Sequence, residues 1–141
     1  MVSDCVGMHI QVLAQTVASA SVIEWAKLDL EPEARVLRQT RVRYNDSRPI
    51  SFEEVVLALD RFPGLDINGG VTGDLVALAK AHGVSLGNAR ERMTVLAATE
   101  TKALHLGIAP MTKILMLDRL VVTANGQPLE WCVSFTRFPA E

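Results

Sequence analysis

The sequence predicts an α+β fold: a six-stranded, mainly antiparallel sheet flanked by short helices, with an internal two-fold repeat. Three observations predict it: two similar halves, turn signals between apolar strands, and capping residues before short apolar segments. The 141 residues have the length of one domain, and the 49% of hydrophobic residues suffices for a buried core. A single folded domain is therefore expected.

The repeat relates the first half of the chain to the second. Pro32 and Pro110 lie in the similar segments EPEARVL and APMTKIL, which are 78 residues apart. After a one-residue insertion Pro49 falls on Pro128, an offset of 79. Each half therefore has the order strand, short helix, strand, hairpin, strand.

Six strands are expected where apolar and β-branched residues form runs bounded by turn residues. Their approximate ranges are His9–Ala18, Val36–Tyr44, Ile50–Leu59, Asn88–Ala98, Lys113–Thr123 and Pro128–Phe138. Because hairpins join most of them, the sheet should be antiparallel.

Each of three predicted helices follows a hydroxyl residue that can cap its free backbone N–H groups: Ser21, Thr72 and Thr99. Ser21 and Glu24 have the spacing of a capping box. The helices are expected to end near Leu28, Gly83 and Gly107. The middle helix has one apolar face, formed by Leu75, Val76, Leu78 and Ala79.

The Asn125-Gly126 turn predicts the register of the second hairpin, because both residues tolerate the positive φ that a two-residue turn requires. With Ala124 opposite Gln127, the facing pairs include Arg119 with Cys132 and Val121 with Glu130. The repeat transfers this register to the first hairpin.

In the first hairpin the transferred register places Arg41 opposite Glu53 and Arg43 opposite Ser51. It requires a three-residue loop, 46–48. An even-numbered loop would instead place Arg41 opposite Phe52.

Strand alternation assigns these residues to faces of the sheet. Four residues of the last strand share a core side: Leu129, Trp131, Val133 and Phe135. The other side carries Glu130, Cys132, Ser134 and Thr136. Glu53 shares its side with Val55 and Leu57, so it should begin a partly buried row.

Arg41 and Arg43 project onto the face of Glu53, which predicts a pocket for a small polar ligand together with Glu130. Arginine offers a planar fork of donors to carboxylate or phosphate, and glutamate can accept from ligand hydroxyl or NH groups. The alternative is that Arg41 and Glu53 form an ordinary cross-strand ion pair, which is the more common arrangement.

Other function classes lack support in the sequence. The net charge of −2 provides no positive field for nucleic acid. Cys5 and Cys132 have no metal-ligand spacing, and no catalytic triad, phosphate loop or cofactor motif is present. No signal peptide or membrane span is found, so a cytoplasmic protein with reduced thiols is expected.

Several segments of the first half resemble the UTRA domain, the effector-binding half of GntR-type transcription regulators of the HutC branch: RVRYND at 41–46, PISFE at 49–53 and FPGL at 62–65. The second half is similar at LGIAP (106–110), ILMLDR (114–119) and NGQPLEW (125–131). The resemblance begins near Val12. Residues 1–11 are therefore expected to be an N-terminal segment or linker remnant, and residues 12–141 the UTRA domain.

The resemblance implies a chorismate lyase-like fold, a homodimer, and a small-molecule effector that alters DNA binding by an attached winged-helix domain. That winged helix is expected to lie outside this chain. The expected protein is a ligand sensor and not an enzyme. A lyase acting on an anionic cyclic substrate on the same fold is the alternative.

The resemblance also implies ligand-binding roles for Arg41, Arg43, Glu53 and Glu130. Two further positions, Asp74 and Thr136, are also expected to contact the ligand but depart from the family pattern: Asp74 stands where relatives often have Ser at the start of the central helix, and Thr136 where relatives often have Tyr. A carboxylate at position 74 would repel a second anion, so the expected ligand is not a sugar phosphate.

Overall fold

The computed structural model describes residues 8–65 and 75–138, which form six strands and three α-helices. The strands are β1 (Met8–Ser19), β2 (Arg35–Asn45), β3 (Arg48–Ala58), β4 (Leu86–Ala97), β5 (Lys113–Thr123) and β6 (Pro128–Arg137). The helices are α1 (Val22–Leu28), α2 (Leu75–Ala81) and α3 (Glu100–Leu106). The predicted α+β class is confirmed.

All strands belong to one antiparallel sheet with the order β1-β2-β3-β6-β5-β4. The first half, β1-α1-β2-β3, and the second half, β4-α3-β5-β6, therefore meet at the β3–β6 pair. The order of the strands reverses about this pair, as expected for an approximate two-fold axis between β3 and β6. The internal repeat is thus present in the fold.

The predicted caps shape the ends of α1 and α3. The Ser21 hydroxyl accepts from the Glu24 N–H at 3.2 Å, and the Glu24 carboxylate accepts from the Ser21 N–H at 2.8 Å. Thr99 caps α3, and Gly107 ends it with a φ of 67°. Thr72, the predicted cap of the middle helix, lies outside the described residues.

Both hairpins have the predicted pairing away from their turns, but the turns differ from the prediction. Arg41 faces Glu53, and Arg119 faces Cys132. The predicted three-residue loop of the first hairpin is wrong: its turn has two residues, because Asn45 faces Arg48. The register then shifts by one residue between Arg43 and Tyr44, and this bulge restores the predicted pairs.

The second hairpin has a bulge at the equivalent place. Thr123, not Ala124, pairs with Gln127, and Gly126 alone has a positive φ in this turn, 89°. The register shifts by one residue between Val121 and Val122. In each hairpin the turn length differs by one residue from the prediction, and the bulge shifts the register back by one residue. The predicted pairs beyond the bulge are therefore kept.

Hydrophobic clusters cover both faces of the sheet. On one face α1 packs near Val36 and Trp131, and α3 packs near Val42 and Phe135. On the other face α2 covers a cluster that includes Leu37, Val55, Leu57, Leu129 and Cys132. The sheet is therefore buried on both sides near its centre.

Leu129 is in the core as predicted but on the other face of the sheet, and the predicted burial of Val76 is wrong. Leu129 packs with Cys132 on the α2 face and not with Trp131, because the bulge beside it breaks the alternation. Val76 of α2 is 65% exposed, whereas Leu75 and Leu78 pack against the cluster. The apolar face of α2 is thus narrower than predicted.

Candidate ligand-binding site

A cavity of about 340 Å³ lies on the α2 face of the sheet. Four predicted site residues line it together: Arg41, Arg43, Glu53 and Glu130. Arg41 and Arg43 come from β2, Glu53 from β3 and Glu130 from β6. The cavity therefore takes residues from both halves of the repeat.

The Glu53 carboxylate is the centre of a hydrogen-bond network. The Nε atom of Arg41 donates to its Oε1 at 2.7 Å, and the Nη2 atom of Arg43 donates to the same oxygen at 3.4 Å. Its Oε2 accepts from the Nε atom of Arg43 at 3.3 Å and from the hydroxyls of Ser51 and Ser134 at 3.2 and 3.4 Å. Five donors thus converge on two oxygens.

This network gives Glu53 a different character from the one predicted. The sequence suggested that Glu53 accepts a hydrogen bond from a ligand, but its acceptor positions are occupied by protein donors. Burial raises the pKa of Glu53, and the guanidiniums of Arg41 and Arg43 outweigh this effect and hold the pKa below its ordinary value. Glu53 therefore stays ionised and fixes the orientation of both arginines.

Glu130 has the opposite environment. Its residue is 7% exposed, and no hydrogen bond joins its carboxyl to any group in the described part of the chain. Burial raises its pKa above the ordinary value, and the charges of Arg41 and Arg119 offset this only in part. A buried carboxyl group without a hydrogen-bond partner can bind a donor group of a ligand.

The two remaining arginines of the site are more accessible than Arg41. The side chain of Arg43 is 31% exposed, and that of Arg119 is 49% exposed. Arg119 also forms an ion pair with Glu91 of β4, at 3.4 Å. Arg43 and Arg119 can therefore turn toward a ligand. Glu53 would still be paired with Arg41, and Glu91 is itself partly exposed to solvent.

The rest of the cavity wall is largely apolar. It includes Leu75 and Val76 of α2, Leu86 and Ala89 of β4, and Leu117 and Val121 of β5. Gly87 also lines the cavity, and a Cβ atom there would lie 2.4 Å from the backbone oxygen of Thr123, so a side chain does not fit. The cavity thus combines a few charged groups with an apolar surface, as small-molecule sites usually do.

Arg119 and Ser134 were not among the predicted site residues. The predicted register already placed Arg119 opposite Cys132, on the face of Glu130, so the signal was available in the second hairpin. Ser134 faces Glu53 across the β3–β6 pair. No hairpin connects these two strands, so no turn in the sequence predicts their register.

Cys132 lies on the cavity wall as a buried thiol. Burial raises its pKa to about 12, and the nearby charges of Glu53 and Glu130 act in the same direction. A thiol with this pKa is protonated at neutral pH and is a poor nucleophile. Cys132 is therefore a small buried side chain of the cavity wall and not a nucleophile.

The other two predicted site residues are Thr136 and Asp74. Thr136 lines a different cavity, of about 420 Å³, beside the β2–β3 turn, with Arg48 and Arg137. Asp74 lies outside the described residues. Their ligand-binding roles stay predictions.

Residues 8–65 and 75–138 contain neither a cluster of metal ligands nor a helix that could span a membrane. Three or more His, Cys, Asp or Glu side chains do not cluster there as metal ligands would. None of the described helices has the length and apolar character needed to cross a membrane.

Comparisons with known proteins agree on one family. The UTRA domain matches residues 6–139. The chain is 29% identical over 126 residues to YurK of Bacillus subtilis (strain 168), described as an uncharacterized HTH-type transcriptional regulator, with 88% of this chain and 51% of YurK covered. The chain thus spans about half the length of this curated relative.

Solved structures show the same fold. A GntR-family transcriptional regulator from Enterococcus faecalis V583 has a TM-score of 0.82 at 25% identity, covering 94% of this chain and 97% of that one. The effector domain of PhnF from Mycobacterium smegmatis has a TM-score of 0.83 at 21% identity, covering 92% and 80%. Because the family match covers nearly the whole sequence, this chain belongs to the UTRA domain family, whose members here include GntR-family transcriptional regulators.

Proposed function

We propose that this chain is the effector-binding domain of a cytoplasmic GntR-type regulator of the HutC branch, and that it senses a small polar or anionic metabolite. One observation carries the proposal. The cavity holds two arginines oriented by an ionised carboxylate, next to a buried glutamate without a hydrogen-bond partner in the described structure. This arrangement supports a ligand site more than an isolated cross-strand ion pair.

The network around Glu53 supports ligand binding by reducing its cost. Arg41 and Arg43 are held by hydrogen bonds before a ligand arrives, so less side-chain entropy is lost on binding. Arg43 keeps donors free for an anionic group because its guanidinium is partly exposed. Arginine donors of this kind bind carboxylate or phosphate with two parallel hydrogen bonds.

Regulation would follow from the way the cavity is built. Its wall includes β2 and β3 of the first half, β4, β5 and β6 of the second half, and α2, which lies between the halves in the chain. A ligand that contacts these elements together favours the arrangement in which they are close. Such a ligand shifts the equilibrium only by its difference in affinity between two arrangements, typically about 1–3 kcal/mol.

DNA contact would be made by a winged-helix domain outside residues 12–141. The net charge of −2 gives this chain no positive field of its own. YurK, a relative about twice as long, is described as an HTH-type regulator. The assignment of residues 1–11 to a linker remnant is part of the same proposal.

A homodimer is the proposed assembly. β4 is an edge strand, and its Met93 and Val95 side chains are 63% and 54% exposed. An edge strand with exposed apolar side chains favours pairing with a second copy. Sedimentation equilibrium should give twice the chain mass for the wild type and one chain mass for Val95→Lys; a wild-type monomer at micromolar concentration would refute this assembly.

The sensing function is tested with a metabolite library and thermal unfolding. We expect at least one small polar metabolite to raise the Tm of the wild type, and Arg43→Gln to abolish that rise. Arg43 is the better target than Arg41, which is 6% exposed and needed by Glu53. Arg35→Gln is the matched control, because Arg35 is exposed on the same strand and does not line the cavity.

Two results would contradict the proposal. One is a library in which no compound stabilises the wild type. The other is a ligand whose stabilisation survives Arg43→Gln unchanged, which would place its site elsewhere.

A further inference from the structure

The cavity has an excess of positive charge at one end. There a single carboxylate, Glu53, is shared by the two guanidiniums of Arg41 and Arg43. One negative charge therefore balances two positive ones. The excess lies on Arg43, the more exposed of the two arginines, and it suits an anionic ligand group.

The other end carries the carboxyl group of Glu130, and the partly exposed Arg119, which is paired with Glu91, lines the cavity near it. Glu130 is buried and has no hydrogen bond to the described residues, and Val121 and Leu57 flank it on the neighbouring strands. A donor group from a ligand, above all a charged ammonium, would supply the missing partner.

The two ends are separated along β6. Ser134 faces Glu53, and Glu130 is four residues further along the same strand, on the same face. At about 3.3 Å per residue, the two backbone positions are about 13 Å apart. The side chains of the arginines and Glu130 close part of that gap, and the space between them has apolar walls that include Leu117 and Leu75.

From this charge separation we infer that the effector is a small zwitterion, an amino carboxylate whose carboxylate binds Arg43 and whose ammonium group binds Glu130 across a short apolar body. The inference rests on the proposed sensing function and adds the ligand class to it. A simple anion would leave Glu130 unpartnered, and a simple amine would leave the positive end unused. Glu130 is then the residue that selects for a ligand amine.

The test uses matched pairs of probes that differ only in the amine: γ-aminobutyrate with butyrate, δ-aminovalerate with valerate, and ε-aminocaproate with caproate. Binding to the wild-type chain is measured by isothermal titration calorimetry at low salt. We expect one zwitterion to bind about tenfold more tightly than its matched carboxylate, as one charged hydrogen bond would give.

Variants assign the preference to Glu130. Glu130→Gln should bind the zwitterion and its carboxylate with similar affinity, and Arg43→Gln should bind both more weakly. Glu54→Gln should keep the tenfold preference, because Glu54 is exposed on the opposite face of the sheet. Circular dichroism of each variant confirms that it is folded.

Three results would overturn the inference. The first is equal binding of a carboxylate and its zwitterion by the wild type; if that binding needs Arg43, the sensing function still stands. The second is a preference that survives Glu130→Gln. The third is the absence of binding by every zwitterion at millimolar concentration, in which case the metabolite library decides the sensing function separately.

Discussion

Replacement of Glu53 by glutamine tests whether this carboxylate orders the site. The variant keeps the size of the side chain but removes the charge that balances Arg41 and Arg43, both of which donate to it. Arg41 is 6% exposed, so its charge would be left buried without the carboxylate that now accepts from it at 2.7 Å, and the bond to Gln39 is weaker, at 3.3 Å. Loss of one partner from a buried ion pair costs about 3–5 kcal/mol of folding stability.

The lower end of that range applies, because the amide oxygen can still accept one hydrogen bond and Arg43 can turn toward solvent. We therefore expect a loss of about 3 kcal/mol in the free energy of unfolding, which lowers the Tm by about 10 °C for a domain of this size. Urea unfolding at neutral pH, followed by tryptophan fluorescence, measures the loss. Glu54→Gln on the opposite face is the control and should change stability by less than about 0.5 kcal/mol.

The pH dependence gives an independent check. Because the folded-state pKa of Glu53 is lowered, its stabilisation is complete above the ordinary carboxyl pKa and is lost as pH falls through the folded value. The stability difference between wild type and Glu53→Gln should therefore shrink in acid. A loss below about 1 kcal/mol at neutral pH, or a difference that does not change with pH, would refute this account of the network.

Three further results are expected. Glu130→Gln should be more stable than the wild type at neutral pH, because burial of the ionised Glu130 costs more than the charges of Arg41 and Arg119 return. The difference in stability should disappear as pH falls through the raised pKa of Glu130, where the carboxyl becomes protonated. A difference that grows in acid would contradict this. Arg61→Ala should lower the free energy of unfolding by about 2 kcal/mol, because the Arg61 guanidinium donates to backbone carbonyls at the end of α1 and the start of β6 and so connects them. Urea unfolding measures the loss, and a loss no larger than in other surface variants would exclude that role. In a Cys5→Ser background, Cys132 should react with a thiol reagent about a thousandfold more slowly in the folded state than when unfolded, since its pKa is about 12; fast reaction of the folded chain would be inconsistent with its burial.

The strands and the main pairing could be predicted because their signals are local or repeated. Runs of apolar residues mark each strand, and the offset of 78 to 79 residues transfers a register from one hairpin to the other. The pair of Arg41 with Glu53 followed from this transfer and is confirmed. The hairpin turns themselves were not predicted correctly, because a bulge depends on the backbone geometry of both strands.

The candidate site was predicted less completely, for a related reason. Four charged residues could be assigned to one face by alternation, and they line one cavity. Whether Glu53 is free or saturated depends on where long arginine side chains end and on Ser134, which comes from the other half of the chain. Sequence separation of 81 residues hides that contact.

The two halves share a backbone repeat, but several equivalent residues around the cavity differ in chemistry. The partners of Arg43, Ser51 and Glu53 under the repeat are Val121, Glu130 and Cys132. A perfectly symmetric molecule would present every charge twice, once on each side of the axis, and could recognise only a ligand that looks the same from both ends. Because the two copies have diverged, the two ends of the cavity carry different groups. A bound molecule therefore has one preferred orientation.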